Sequence, residues 1–144
     1  MNIYITRHGQ TDLNKAHLMQ GRTDAPLNAH GRQQAVEAAQ QVKGIHFDAV
    51  YSSPLKRAVD TASIISGWDK KDIITDDRII EVDFGRYEKK RYTALGLEMW
   101  SFWLLPTIFK EPATVESIEH MKKRAHSFID DLSKKNYQNV LISC

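Results

Sequence analysis

The sequence predicts an α/β domain with a mostly parallel sheet, and three observations carry that reading. Short runs rich in Ile, Val and Tyr recur at residues 2–6, 48–52, 73–75 and 140–144. Segments with the 3.6-residue period of amphipathic helices separate them. No repeat, low-complexity tract or Ser/Gly linker divides the 144 residues, so the chain reads as one domain, 1–144. Strand and helix in alternation favour parallel pairing, because a parallel neighbour needs a crossover helix.

The elements follow in order. Ile3, Tyr4 and Ile5 read as a buried strand that gives way abruptly to Arg7, His8 and Gly9. Residues 7–27 carry Gly9, Gly21 and Pro26 and read as a long loop with one helical turn. Asn28 can cap a helix to Val42, with Ala35, Ala39 and Val42 as its stripe and Gly44 as the stop signal. After the second strand, Ser53 is the expected cap of a helix with Pro54 at its first position, where a missing N–H costs nothing. Ala58, Ala62 and Ile65 give that helix its face, and Gly67 ends it. A third strand, a loop around 76–88 and an aromatic-rich helix over 91–104 follow. The clearest period is Val115, Ile118, Met121, Ala125, Phe128 and Leu132, a helix over 115–133. The chain then enters a last strand and ends at Cys144.

Composition narrows the function classes. Hydrophobic content of 42% with 26% charged residues is a globular balance. A net charge of +2 is too small to argue for nucleic acid. With one cysteine, Cys144, no internal disulfide can form. Arg7 interrupts the N-terminal apolar run, so neither a signal peptide nor a membrane span is expected, and the expected location is cytoplasmic. His17, His30, His46, His120 and His126 show no spacing that argues for a metal site.

Chemistry-bearing residues gather where strands end, which is where open parallel sheets place their sites. His8 beside Arg7 can act as nucleophile or base, and the adjacent cation opposes protonation of the imidazole. Gly9 would let the backbone approach an anion. Arg57, early in the helix after the second strand, sits near the positive dipole end that favours anions. Glu81, between Ile80 and Val82, has the partly apolar setting that raises a carboxyl pKa and suits a proton donor. Taken singly, each has a plainer reading: a capping histidine in a solvated turn, an exposed helical arginine, a strand-edge glutamate.

Four stretches, TRHGQTDLN, QGRTDAPLNAHGRQQA, SSPLKRAVDTA and IIEVDFGRYE, occur in an order and spacing that resembles the histidine phosphatase superfamily, the group that includes the phosphoglycerate mutases. The resemblance implies a three-layer α/β/α fold and phosphomonoester hydrolysis. His8 would correspond to the nucleophile that becomes phosphohistidine, and Arg7 and Arg57 to phosphate-clamping arginines. Asn14 and the backbone around Gln20 and Gly21 would line the pocket, and Glu81 would protonate the leaving oxygen. No cofactor and no metal are implied. The expected partner is a small phosphorylated substrate, not nucleic acid or a membrane.

Two departures from the family pattern stand out. The family carries a second histidine in a serine–histidine–glycine signature after the last core strand. NVLIS matches the approach to it, and Cys144 is the final residue. The expectation is therefore a domain incomplete at its C-terminus, from a longer parent with His next. Such a chain would have reduced or no activity, and it could self-associate through an uncovered C-terminal strand. Secondly, Lys89 stands where the family often has glycine after the aromatic–glutamate pair, here Tyr87–Glu88. The segment between Glu81 and residue 115 is short, which favours phosphatase over a mutase-type phosphotransferase. A non-catalytic phosphate-binding protein is the other alternative. The run at 99–109 reads as core more readily than as an apolar lid.

Overall fold

The computed structural model describes all 144 residues. Four parallel strands, β1 (Asn2–Thr6), β2 (Ala49–Ser52), β3 (Ile74–Thr75) and β4 (Asn139–Ser143), form one sheet in the order β1-β4-β2-β3. Between them lie α1 (Asp12–Lys15), α2 (Ala29–Gln41), α3 (Lys56–Ser66), α4 (Gly96–Leu104) and α5 (Ile118–Ser133). Helices α2 and α3 cover one face, where Ala35, Ala62 and Ile65 meet Val50 and Leu141. Helix α5 covers the other, where Phe128 and Leu132 meet Ala49, Tyr51, Val140 and Ile142. The result is the predicted α/β/α sandwich.

Local chemistry explains most boundaries. Asn28 accepts from the Gly31 N–H and caps α2 as expected. Ser117 caps α5 by accepting from His120, three residues later than the pattern suggested. Gly67 takes φ +73° and closes α3 in the left-handed conformation. The start of α3 corrects the sequence reading. The helix begins at Lys56 with Leu55 as its uncapped N-cap, and Ser53 Oγ accepts only from the Leu55 N–H. The expected helix over 91–104 splits into a 3₁₀ turn at Tyr92–Ala94 and α4. Leu95 lies between the two, and Gly96, at φ +79°, opens α4.

Two burial expectations are also corrected. The β1 strand is an edge, and Ile3 and Ile5 are 43% and 69% exposed because no helix covers their side of it. The last strand is the reverse case. Strand β4 pairs with both β1 and β2, and Val140, Leu141 and Ile142 are buried. The uncovered sheet edge on this side is therefore β1, not the C-terminal strand.

The stripe of α2 runs through Gly31, Ala35, Ala38 and Val42 in place of the predicted Ala39. Its first buried position has a reason. A Cβ on Gly31 would lie 2.1 Å from the Gln10 carbonyl oxygen, and one on Gly9 would lie 2.2 Å from the Gly31 carbonyl oxygen. Gly9 thus admits the helix, a steric role that the sequence alone does not reveal. Gly31→Ala is expected to destabilise the fold by about 1–3 kcal/mol through overpacking. Urea unfolding measures it; an unchanged midpoint would show that the backbone relaxes freely there.

Candidate active site

The β1–β4 ladder delivers the first site residues. Cys144 donates its N–H to Thr6 O at 3.1 Å, and His8 donates its N–H to Cys144 O at 3.0 Å. The register therefore runs to the carboxyl end of β1 and fixes the backbone of His8. The Gly9 N–H donates to Thr61 Oγ1 at 3.2 Å, and the Thr61 hydroxyl donates to Arg57 O at 2.7 Å. Helix α3 is thereby fastened to the His8 turn.

The imidazole is half-buried, with Nδ1 2.8 Å from the Gly9 carbonyl oxygen. A carbonyl can only accept, so Nδ1 carries the proton and the Nε2 lone pair is free. Burial pushes the His8 pKa below its ordinary value, the Gly9 carbonyl opposes that, and Arg57 and Arg7 depress it further against the pull of Glu81. The balance favours the neutral ring, the form in which an imidazole nitrogen can attack. The adjacent cation foreseen in the sequence contributes, but burial is the larger cause.

Arg57 is fully buried, which overturns the exposed-arginine alternative. Its Nη1 donates to Thr23 O at 2.9 Å and its Nη2 to Gly21 O at 2.6 Å. Its Nε has no partner. Burial lowers the Arg57 pKa, while Glu81, Asp24 and Glu88 raise it. A buried guanidinium with an orphaned N–H costs about 1–3 kcal/mol unless something accepts that proton.

Arg7 is exposed; besides a cavity that it and His8 share with Gln34, Ala35, Thr61 and Ile65, it lines two more. One, of about 310 Å³, is shared with His8, Gln10, Asn14, Gln34 and Tyr92. The other, of about 440 Å³, is shared with Glu81, Ile80, Val82 and Cys144. Asn14 Oδ1 accepts from the Thr11 N–H at 3.0 Å, which settles the amide orientation and leaves its amino group for a ligand. The Glu81 carboxylate accepts from the Val82 N–H at 2.9 Å. Gln20 and Gly21 sit elsewhere. The Gln20 side chain accepts from the Thr11 hydroxyl at 2.5 Å and donates to Thr23 O at 3.3 Å. Gly21 offers its carbonyl to Arg57. Both support Arg57 and neither lines the cavities beside His8.

The loop that carries Glu81 is tied to α5. Glu116 donates its N–H to Asp83 O at 2.8 Å, and its carboxylate accepts from Arg124 Nε and Nη2 at 2.7 and 2.9 Å. Burial pushes the Glu116 carboxyl up, but the bonds from Arg124 and His120 outweigh it and hold the pKa at about 2. A carboxyl whose folded pKa lies below its ordinary 4.5 adds stability above that pH and loses it as the pH falls toward 2. Glu116→Gln is expected to flatten the decline of unfolding free energy between those values. Parallel acid slopes for variant and wild type would contradict it.

Several contributors escaped the sequence reading. Gln34 and Tyr92 line the His8 cavity. Tyr92 packs edge-on against Trp103 at 6.0 Å. Of the aromatic run 99–109, expected as core, only Met99 and Phe102 are buried, in a second core with Met19, Tyr87, Leu95 and Val115, while Leu105, Ile108 and Phe109 are exposed. Leu97, Trp100, Trp103 and Leu104 remain exposed. Lys89 adopts φ +63° and still makes its turn, donating its N–H to Met19 O at 2.8 Å. No three His, Cys, Asp or Glu side chains converge on a point where a metal could bind, and no helix is long and apolar enough to cross a membrane.

Comparison with known proteins identifies the family and the fold. The chain is similar to a 2,3-bisphosphoglycerate-dependent phosphoglycerate mutase of Thermoplasma acidophilum, 31% identical over 140 residues, which cover 96% of this chain and 68% of that protein. It is also similar to phosphoserine phosphatase 1 of Hydrogenobacter thermophilus, 28% identical over 99% of this chain and 69% of that one. Among solved structures, YhfR of Bacillus stearothermophilus superposes with a TM-score of 0.88 at 29% identity, over 98% of this chain and 72% of its own. A phosphoserine phosphatase of Entamoeba histolytica, solved with 3-phosphoglyceric acid, superposes at 0.81 with 33% identity, over 98% and 72%. The model of the histidine phosphatase superfamily (branch 1) matches residues 3–144, and the chain belongs to that family.

Proposed function

We propose that the chain is a phosphomonoester hydrolase that acts through a phosphohistidine, with His8 as nucleophile. The observation that supports it most is the buried, half-paired guanidinium of Arg57, close enough to His8 for its charge to depress the imidazole. Such a donor is maintained at a cost that an anion would offset. In the proposed reaction the His8 Nε2 lone pair attacks phosphorus and the P–O bond to the leaving group breaks. Glu81 passes a proton to the departing oxygen. Arg57 and Arg7 neutralise the equatorial oxygens as charge spreads over them. Water then cleaves the P–N bond, releases inorganic phosphate and returns a proton to Glu81.

The test is labelling. Exposure to an aryl phosphate with labelled phosphorus is expected to leave acid-labile label on the chain, and His8→Ala is expected to leave none. Label that survives acid, or that persists in His8→Ala, would overturn the assignment. The mutase relative keeps a second reading in play, phosphotransfer between positions of one phosphoglycerate. Isomerised ester in place of free phosphate would identify it. Phosphate binding with no label at all would identify a non-catalytic binder.

A further inference from the structure

Glu88 is a half-buried carboxylate that the reaction outlined above does not use. Its two oxygens accept three protons from one short loop. Oε1 takes the Arg22 N–H at 2.8 Å, and Oε2 takes the Thr23 N–H at 2.7 Å together with the Thr23 hydroxyl. The carbonyls on either side of those two amides, Gly21 O and Thr23 O, are the two that hold the Arg57 fork. The same three residues therefore face Glu88 with their donors and Arg57 with their acceptors. The Gly21 backbone is also pinned from behind, since a Cβ there would lie 2.3 Å from Val82 O and 2.8 Å from Glu88 Oε1.

Glu88 is itself held from the far side. Lys89 donates to Met19 O at 2.8 Å and Met19 donates to Lys90 O at 2.8 Å, a rung between residues 19 and 89–90. The left-handed Lys89 is the turn that aims Glu88 back at the loop. From this arrangement we infer that Glu88 is a positioning residue for phosphate recognition, fixing through the Arg22–Thr23 amides the two carbonyls that orient Arg57. The inference rests on the proposed role of Arg57 as the phosphate clamp. Both Nη atoms are spoken for by those carbonyls, so the direction of the unpaired Nε–H follows the loop. A guanidinium fork misplaced by a fraction of an ångström loses its match to phosphate oxygens.

The experiment is a double-mutant cycle on the Kd for inorganic phosphate, using Glu88→Gln and Arg57→Lys. Glutamine keeps the shape but can accept with one oxygen only, and its amino group faces donors. Glu88→Gln is expected to weaken phosphate binding about 10-fold in the wild-type background, the scale at which orienting partners act. On Arg57→Lys, which has no fork to orient, the same change is expected to add less than about 2-fold. An equal loss in both backgrounds would show that Glu88 acts on the fold generally and would overturn the inference, as would no loss in either. If Arg57→Lys binds phosphate as tightly as wild type, the clamp reading fails and the inference falls with it. Glu88→Ala serves as a stronger version only if its thermal unfolding stays cooperative; the isosteric glutamine carries the test if it does not.

Discussion

Arg57→Met is expected to lower turnover of any phosphate ester about 100- to 1000-fold, the usual cost of one positioned charge-stabilising donor. Methionine roughly preserves the volume of this fully buried side chain, so the packing of α3 against the sheet changes little. What changes is the polar arrangement. Gly21 O and Thr23 O lose their donors, the orphaned Nε–H disappears, and the His8 imidazole loses one of the charges that depress its pKa. Stability is expected to respond in two opposing ways. Two carbonyls without partners destabilise by about 1–3 kcal/mol each if water cannot reach them. Removal of a desolvated charge offsets part of that. Turnover and stability thus separate, and turnover carries the larger effect. Phosphate-release kinetics beside urea unfolding checks this; a loss of activity under about 10-fold would remove Arg57 from the clamp. Arg57→Lys is not expected to rescue the loss, because a point charge cannot span two carbonyls and a phosphate.

The parts of the site legible in sequence are those fixed by strand ends. His8 follows β1 and Arg57 follows β2 by a few residues, so the alternation of strands and helices brings both to one edge of the sheet. Periodicity likewise found Ala58, Ala62 and Ile65 on α3 and Phe128 and Leu132 on α5. Illegible were the features set by distant partners. Glu88 contacts Arg22 across 66 positions, and no local pattern links a glutamate after a tyrosine to a loop that far back. Gly31 reads as an indifferent residue in a capped helix until Gln10 is placed against it. The apolar runs of β1 and β4 look alike as sequence. Only the strand order makes one an edge with Ile5 exposed and the other a centre with Leu141 sealed. Arg57 shows the same limit from the other side. Its position was readable, but its complete burial follows from the 21–23 loop folding over it.

Glu81→Gln provides the second large effect, and its size should depend on the substrate. General acid catalysis contributes about 100- to 10,000-fold when the leaving oxygen is basic. An alkyl phosphate expels an alkoxide that needs the proton, whereas an aryl phosphate expels a phenolate that tolerates its charge. Glu81→Gln is therefore expected to slow hydrolysis of an alkyl ester by that range and of an aryl ester by far less. Geometry frames the test. Glu81 lines the Arg7 cavity together with Ile5 of β1, its carboxylate accepting from the Val82 N–H, on a loop that Glu116 ties to α5. Because the Glu116 tie keeps the loop in place without Glu81, the variant tests proton transfer with the scaffold intact. Equal losses on both esters would mean that Glu81 acts through the charge it places near His8 and Arg57, not through a proton. In that case a charge-removing change at Glu81 should also raise the measured affinity for phosphate, since one negative neighbour of the bound anion is gone. An unchanged affinity would point to proton transfer instead, so a phosphate titration of Glu81→Gln distinguishes the two roles where the ester series cannot.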